Sequence, residues 1–455
     1  MEYIALVLFV CVCGVLLLGY PVALSLAGTS LLFAGVGILF GGFDASYLSA
    51  MPSRLYGILT NTTLIAVPLF VFMGVLLEKS KIAEQLLLSM AQLLSGRVPA
   101  GMAVSVILVG MLLAASTGIV GATVVTMGLL SLPSLMKKGY SPELSSGLIC
   151  ATGTLGQIIP PSIALVLLGD VLSNAYQQAQ LNMGIFSPES VSVGDLFVGA
   201  LIPGLLLVAM YLIYVVASAW LNKQSKQSDS EQKQPIALGS LLSALVPPLL
   251  LIIIVLGAII SGSATPTEAS GVGAFGALVL AILKRTLSWQ QFQQVLIETT
   301  KITAMVFLIL IGASIFSLVF RGFGGEELIQ SFFATLPGGA IGAMLVVMLV
   351  VFLLGFILDF IEITFVVVPI VAPVLLMMGL DPVWLGIMLA VNLQTSFLTP
   401  PFGFALFYLR GVAPNVIHTA QIYRGVVPFI IIQLILLVIL FVWPELATFL
   451  PDKIY

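Results

Sequence analysis

The stretch Ser131-Leu-Pro-Ser-Leu-Met-Lys-Lys-Gly-Tyr-Ser-Pro-Glu-Leu-Ser-Ser-Gly-Leu-Ile-Cys-Ala-Thr-Gly-Thr-Leu-Gly-Gln-Ile-Ile-Pro-Pro161 decides the fold, because its skeleton returns further along the chain. Pro133, Gly139, Pro142, Pro160 and Pro161 recur as Pro373, Gly379, Pro382, Pro400 and Pro401, at one offset of 240 residues and without a gap. With proline at about 5% of residues and a few hundred offsets to try, chance produces such agreement about once in a thousand. The two copies differ in charge. Lys137-Lys138-Gly139 reads as cytoplasmic, whereas Met377-Met378-Gly379 carries no positive charge and reads as external. The halves are therefore expected to be inverted relative to each other, and inverted repeats with discontinuous helices are a secondary-transporter architecture.

Composition sets the solvent in which this repeat folds. Of 455 residues, 60% are hydrophobic and 8% charged, against about half and about a quarter in soluble domains. So few charges cannot cover a water-soluble body of this size. A soluble enzyme and a nucleic-acid binder, which needs a basic face, are excluded. Cys11, Cys13, Cys150 and the single histidine, His418, form no credible zinc site, disulfide framework or cysteine–histidine pair. Met1-Glu2-Tyr3 lacks a basic segment, so the first apolar run reads as a retained span.

Apolar runs of about 17–25 residues cross a bilayer as helices. Full spans are expected near 3–19, 22–41, 62–78, 196–221, 241–261, 268–283, 301–320 and 426–444. Stretches 98–140 and 338–380 read as re-entrant helical hairpins, each interrupted by polar residues at its centre. Stretches 142–172 and 382–409 read as long helices broken by a Pro-Pro pair. Segments 79–97, 286–300 and 324–336 are amphipathic and read as surface helices. The expected organisation is a first half over 1–221, a cytoplasmic linker over 222–237 and an inverted second half over 238–455. With both termini outside, Lys79, Lys81, Arg97, Lys137, Lys138, Lys223, Lys226, Lys233, Lys284, Arg285, Lys301, Arg410 and Arg424 are inside, and only Arg54, Arg321 and Lys453 are outside.

The interruptions carry the chemistry. The first hairpin turns at Ser116-Thr117-Gly118, and the following helix breaks between Thr152 and Gln157, ahead of Pro160-Pro161. Proline removes an amide donor, so carbonyls near 156–157 are expected to lose their helical partners, and glycine lets the backbone turn there. In hydrocarbon such groups must be buried in protein, hydrated or bound to a cation. Ser and Thr hydroxyls beside them make an oxygen-rich, charge-poor setting suited to Na⁺. The alternative is a pair of proline kinks satisfied by neighbouring helices.

The second hairpin turns around Asp359 and Glu362, and its broken helix opens between Gln394 and Thr399 before Pro400-Pro401. Intramembrane acids serve ion paths, proton relays or structural pairs. Asp359 reads as a Na⁺ ligand, with proton carriage and helix capping as alternatives. Glu362 reads as a helix-end stabiliser. Half-helices that begin at the breaks aim their amide-rich ends at the midplane, where a carboxylate is favoured, with Thr154 and Ser396 in its vicinity.

These residues bring a resemblance into view. Gly153-Thr-Leu-Gly-Gln-Ile-Ile-Pro-Pro-Ser162, Thr265-Pro-Thr-Glu-Ala269, Asn61-Thr-Thr-Leu-Ile-Ala-Val-Pro-Leu-Phe70 and Leu398-Thr-Pro-Pro-Phe-Gly403 spread over nearly the whole chain. In combination they resemble the large membrane subunit of tripartite ATP-independent periplasmic (TRAP) transporters, in the ion transporter superfamily. The resemblance implies an all-α, multi-pass protein of the inner membrane with periplasmic termini. It also implies two partners, a small four-helix membrane subunit and a periplasmic substrate-binding protein. Organic acids would enter with a sodium gradient, through an elevator motion of the hairpin-containing domain against a scaffold.

Sodium would bind where each hairpin tip meets a broken helix. That places one site at Ser116, Thr117, Gly118, Thr152, Gly153 and Gly156, and the other at Asp359, Gln394, Thr395 and Thr399. Many relatives carry Gly-Ser-Ser at the first tip, where this chain has Ser116-Thr117-Gly118. Thr265-Pro266-Thr267-Glu268 is diagnostic of the family but reads from its residues only as a helix cap. A proton-coupled relative, or a channel or passive scaffold, remains the competing reading.

Overall fold

Proline and glycine set where the helices stop in the computed structural model, which describes residues 3–80, 82–94, 98, 100–221 and 238–454. The described residues form helices and connecting turns, with no strand among them. The first half opens with α1 (Ile4–Leu17), α2 (Val22–Leu39), α3 (Met51–Thr60), α4 (Ala66–Lys79) and the amphipathic α5 (Ile82–Leu94). A hairpin of α6 (Gly101–Thr117) and α7 (Val120–Lys137) follows, then the broken helix α8 (Pro142–Thr154) and α9 (Ile163–Asn182), then α10 (Val193–Leu221). The second half has α11 (Leu238–Ile260), α12 (Pro266–Leu283), α13 (Trp289–Gly322) and the short α14 (Gly325–Thr335). Its hairpin is α15 (Gly339–Leu354), α16 (Phe360–Val366) and α17 (Val368–Met377). The second broken helix is α18 (Pro382–Leu398) and α19 (Phe404–Val412), before α20 (Thr419–Val442) and α21 (Glu445–Ile454). The segment 222–237, expected as a cytoplasmic linker, lies outside the described residues.

The repeat holds in register at its helix starts. Helix α7 begins after Ile119 and α16 after Asp359, 240 residues on. Helix α8 is capped by Ser141, whose Oγ accepts from Leu144 N at 3.2 Å, and α18 by Asp381, whose Oδ1 accepts from Trp384 N at 2.7 Å. Such caps satisfy amides that the first helical turn leaves without partners. The hairpin exits turn at Gly139 (φ +79°) and Gly379 (φ +89°), a left-handed conformation that favours glycine. The Pro160–Pro161 and Pro400–Pro401 peptide bonds are both cis.

Packing repeats as well. Helix α13 packs on α2 as α4 packs on α12, and α7 packs on α19 as α9 packs on α17. The last two pairings are reciprocal: each half offers its hairpin's second arm to the outer piece of the other half's broken helix. Reciprocal contact of this kind requires a two-fold relation, because a translated repeat would pack head to tail. Counted as spans, α1, α2, α4, the broken helix and α10 make an odd set, which would bring the second half in from the opposite side. The architecture is an inverted repeat.

Several expectations are corrected. Segment 286–300 is not a separate surface helix but the first part of the 34-residue α13. Ser288 starts that helix, its Oγ accepting from Gln291 N while Gln291 Oε1 accepts from Ser288 N. No glycine or proline interrupts Trp289–Ile311. The charge of Glu298, within that amphipathic segment, is taken up by Lys79 of α4 at 3.0 Å. The broken helix runs to Asn182 rather than 172. The second hairpin's return arm bends by 56° between α16 and α17, just before Pro369, which has no amide to continue the ladder. Helices α3 and α21 were not anticipated.

Small residues bring the two parts of the core together. At the α8–α20 crossing, a Cβ on Gly147 would strike the Gly425 carbonyl, and one on Gly425 would strike the Glu143 carbonyl. Membrane helices use glycine for such close approach. Gly147→Ala is expected to cost about 1–3 kcal/mol, the usual penalty for an extra methyl in a packed site. It should lower the denaturation midpoint in detergent, whereas Gly14→Ala, which meets open space, should not; equal midpoints for the two variants would contradict the packing argument.

Candidate functional site

The two breaks meet at the centre of the repeat. Gln394 Nε2 donates to Thr154 Oγ1 across 3.3 Å, and these residues are 240 positions apart, each the other's repeat equivalent. A residue touches its own symmetry mate only on the symmetry axis, so the pseudo-two-fold passes between Thr154 and Gln394. Both are fully buried.

At the first break, α8 tightens into a 3₁₀ turn at Leu155–Gln157 before the chain restarts at Ile163. The hairpin tip closes on it. Gly118, with φ +60°, approaches so closely that a Cβ would lie 3.0 Å from Ile163 N, and a Cβ on Gly156 would lie 3.3 Å from Ala114 O. Gly110 of α6 lies against Thr152 and Gly153 against Val124 of α7. From α4, Gly74 backs the tip, 2.7 Å separating its would-be Cβ from Ser116 O. The structure thus brings Ser116, Thr117, Gly118, Thr152, Gly153 and Gly156 into one neighbourhood. Their hydroxyls are engaged locally: Ser116 and Thr117 donate to Leu113 O at 2.9 and 3.0 Å, and Thr152 to Leu148 O at 2.8 Å. Thr117 Oγ1 also meets Thr123 Oγ1 at 2.7 Å.

One expectation changes here. The carbonyls of Gly156 and Gln157 are not left without partners: the Ser162 hydroxyl lies 2.7 and 3.2 Å from them and donates to both. The unpartnered groups are side-chain oxygens instead. Gln157 Oε1, Gln394 Oε1 and Ser396 Oγ are buried and have no hydrogen-bond partner among the described residues. Gln394 is among the residues expected at the second site; Gln157 is the one that proline-centred reasoning passes over, and an amide at a helix break in an apolar chain is the clue available.

At the second break, Thr395 Oγ1 donates to Val391 O and Thr399 Oγ1 to Thr395 O, both at 2.8 Å. The hairpin meets the break where Gly355 approaches Ser396 so closely that no Cβ would fit. Asp359 and Glu362 form a capping box at the start of α16. Asp359 Oδ1 accepts from Phe360 N at 2.7 Å, and Glu362 Oε2 from Asp359 N at 3.0 Å. Asp359 makes no hydrogen bond to Gln394, Thr395 or Thr399 among the described residues, so capping is its observed contact. Arg321, at the end of α13, pairs with Glu326 rather than with either acid.

Buried oxygens without donors are costly in an apolar medium, and these belong to neutral amides and hydroxyls beside a backbone already broken.

An all-helical membrane chain whose inverted halves meet at interrupted helices is of the secondary-transporter class, a permease rather than an enzyme. The chain belongs to the family described as the tripartite ATP-independent periplasmic transporter, DctM component, which it matches over residues 9–446. It is 29% identical over 465 aligned residues to the C4-dicarboxylate TRAP transporter large permease protein DctM of Vibrio cholerae, covering 98% of this chain and 96% of that one. It is also 29% identical to the sialic acid TRAP transporter large permease protein SiaM of the same organism, covering 96% of each. Among solved structures, the Alcanivorax borkumensis YdaH transporter, described as having an unusual topology, superposes with a TM-score of 0.60 at 15% identity. The match covers 88% of this chain and 90% of that one, and speaks to the fold alone.

Proposed function

We propose that this chain is the transport subunit of a sodium-coupled, binding-protein-dependent importer of organic acids across the inner membrane. Its partners in this reading are a small four-helix membrane subunit and a periplasmic substrate-binding protein, and both its termini are periplasmic. The observation that carries the sodium reading is the set of buried, donor-less oxygens at the two breaks, Gln157 Oε1, Gln394 Oε1 and Ser396 Oγ. The relatives named for a C4-dicarboxylate and for sialic acid support an organic-acid cargo.

The motion that would carry cargo has a supporting arrangement too. Helices α2, α4, α12 and α13 pack on one another as a frame, with α3 against α13, and the hairpins and broken helices pack together beside it. Where described, few polar side chains link the two groups: Asn61 Nδ2 to Asp170 Oδ1 at 2.8 Å and Thr126 Oγ1 to Glu78 Oε1 at 3.0 Å. A mostly apolar boundary can slide without stranding hydrogen bonds. The engagement of Asp359 and Glu362 as backbone caps counts against a proton carrier at either acid.

The test is uptake by proteoliposomes holding the chain with its two partner components, using a C4-dicarboxylate and sialic acid as probes. An inward sodium gradient should drive accumulation above equilibrium. Uptake that ignores sodium and collapses with a proton uncoupler would move the reading to proton coupling, and uptake that never exceeds equilibrium would move it to a channel. Asp359→Asn sharpens this, because asparagine caps helices as well as aspartate while removing the charge. The half-saturating sodium concentration should rise about tenfold, a change of about 1.4 kcal/mol, with the amount inserted unchanged. An unaltered sodium dependence would leave Asp359 as a cap only.

A further inference from the structure

A cavity of about 540 Å³ lies between α3, α9, α13 and the return arm of the second hairpin, away from the helix breaks. Its size falls within the roughly 300–1,000 Å³ of small-molecule pockets. Its walls differ. The α3 and α13 side presents Arg54, Arg321, Ser314 and Ser317. The α9 side presents Asn174 and Gln178, with Asp170 held by Asn61 at the joint between the two walls.

The two arginines are not equivalent. Arg321 is neutralised by Glu326, with Nε 2.8 Å from Oε1. Arg54 is half-buried and has no ion pair among the described residues. Glu326, the acid whose charge Arg54 feels, is engaged by Arg321 and lies beyond ion-pair distance of Arg54, so the Arg54 guanidinium keeps its fork of donors available, and that fork matches a carboxylate in two-point contact. The hydroxyl and amide side chains around it supply groups for the rest of a polar solute. One wall belongs to the frame and the other to the broken helix and hairpin, so an occupant would touch both groups of helices.

We propose that this cavity is an entry vestibule for organic anions, in which Arg54 receives a carboxylate, with Arg321 as its weaker, Glu326-restrained companion. The proposal rests on the organic-acid reading above and adds a receiving site that is separate from the breaks. On the proposed orientation it opens to the periplasmic side, where Arg54 and Arg321 lie. Cargo released there meets positive charge before it reaches the charge-poor centre.

The test needs neither cargo nor sodium. In the full chain with Cys11 and Cys13 replaced by alanine, Ser317→Cys places a thiol in the cavity, and Ser187→Cys places one in an exposed loop outside it. Rates of modification by a sulfonated methanethiosulfonate and by its trimethylammonium counterpart are compared, each normalised to Ser187→Cys. The anionic reagent should be favoured at Ser317→Cys by about tenfold, the low end of electrostatic focusing in a charged cleft. Arg54→Gln should remove most of that preference, Arg321→Gln less of it, and Glu326→Gln should increase it. Equal rates, a preference for the cation, or no reaction with either reagent would overturn the proposal. Because no sodium gradient is involved, a failed vestibule and a failed sodium coupling would be told apart.

Discussion

Gly118→Val is expected to reduce the initial rate of uptake by about a hundredfold or more while leaving the protein inserted in the membrane. Two costs combine at this position. Gly118 adopts φ +60°, a left-handed conformation costing about 1–2 kcal/mol for a residue with a Cβ, and more for a β-branched one. The added Cβ would also sit 3.0 Å from Ile163 N and 3.1 Å from Ile163 Cγ1, and overpacking of this kind costs about 1–3 kcal/mol. The backbone of the tip cannot give way toward α4, because Gly74 already presses against Ser116 and Thr117. The tip must therefore leave the break, and about 3–4 kcal/mol against the closed arrangement corresponds to two to three orders of magnitude in rate. Gly139→Ala is the control. That residue has φ +79° but open space around it, so only backbone strain applies, and uptake should stay within about threefold of the parent, with a loss of about 1 kcal/mol in stability. Comparable uptake by Gly118→Val and the parent would show that the contact between tip and break is not needed.

The contrast between these two glycines also shows what a sequence discloses. Both stand beside repeat landmarks, and turns were foreseen at both. Only the structure shows that one turn faces solvent or lipid and the other faces Ile163. The repeat itself was legible because proline and glycine act on the backbone directly, without needing a neighbour: Pro142 and Pro382 start helices, Gly139 and Gly379 end hairpins, and the doubled prolines open the breaks. Features set by partners were not legible. The charged start of α13 looked like a separate surface helix because nothing in 286–300 announces that Glu298 finds Lys79. Asp359 reads as a cation ligand with helix capping as an alternative, and the contact that the structure shows, to the amide of Phe360 one residue away, is the capping one. Proline withdraws a donor from the carbonyls of Gly156 and Gln157, and Ser162, immediately after the proline pair, returns one. Backbone reasoning thus located the site, but which oxygens remain without partners depends on three-dimensional neighbours.

The last prediction turns on one of those oxygens. Gln394→Leu should make the sodium-free protein at least as stable as the parent and yet abolish most of its response to sodium. The two effects have opposite signs because they arise from different atoms and states. In the sodium-free state, Gln394 Oε1 is buried with no donor, a situation that costs about 1–3 kcal/mol. Leucine has nearly the same shape and carries no such debt. What it loses is the Nε2 contact to Thr154, which at 3.3 Å is at the weak end of the roughly 0.5–1.5 kcal/mol of a hydrogen bond; Thr154 Oγ1 keeps its own donation to Ala151 O at 2.8 Å. With sodium present the balance reverses. A ligand at a hundred times its dissociation constant stabilises the folded state by about 2.7 kcal/mol, and a site deprived of one coordinating oxygen should need at least about tenfold more sodium for the same effect. Melting curves in detergent across a sodium series, with choline as the balancing cation, read both quantities on one sample. A variant that melts lower than the parent without sodium and still responds to sodium in the parental range would make Gln394 a structural clasp between the two halves and would move the cation away from the pseudo-two-fold axis. A variant that melts as high or higher and no longer responds would mean that the orphaned amide oxygen on that axis is kept for the ion.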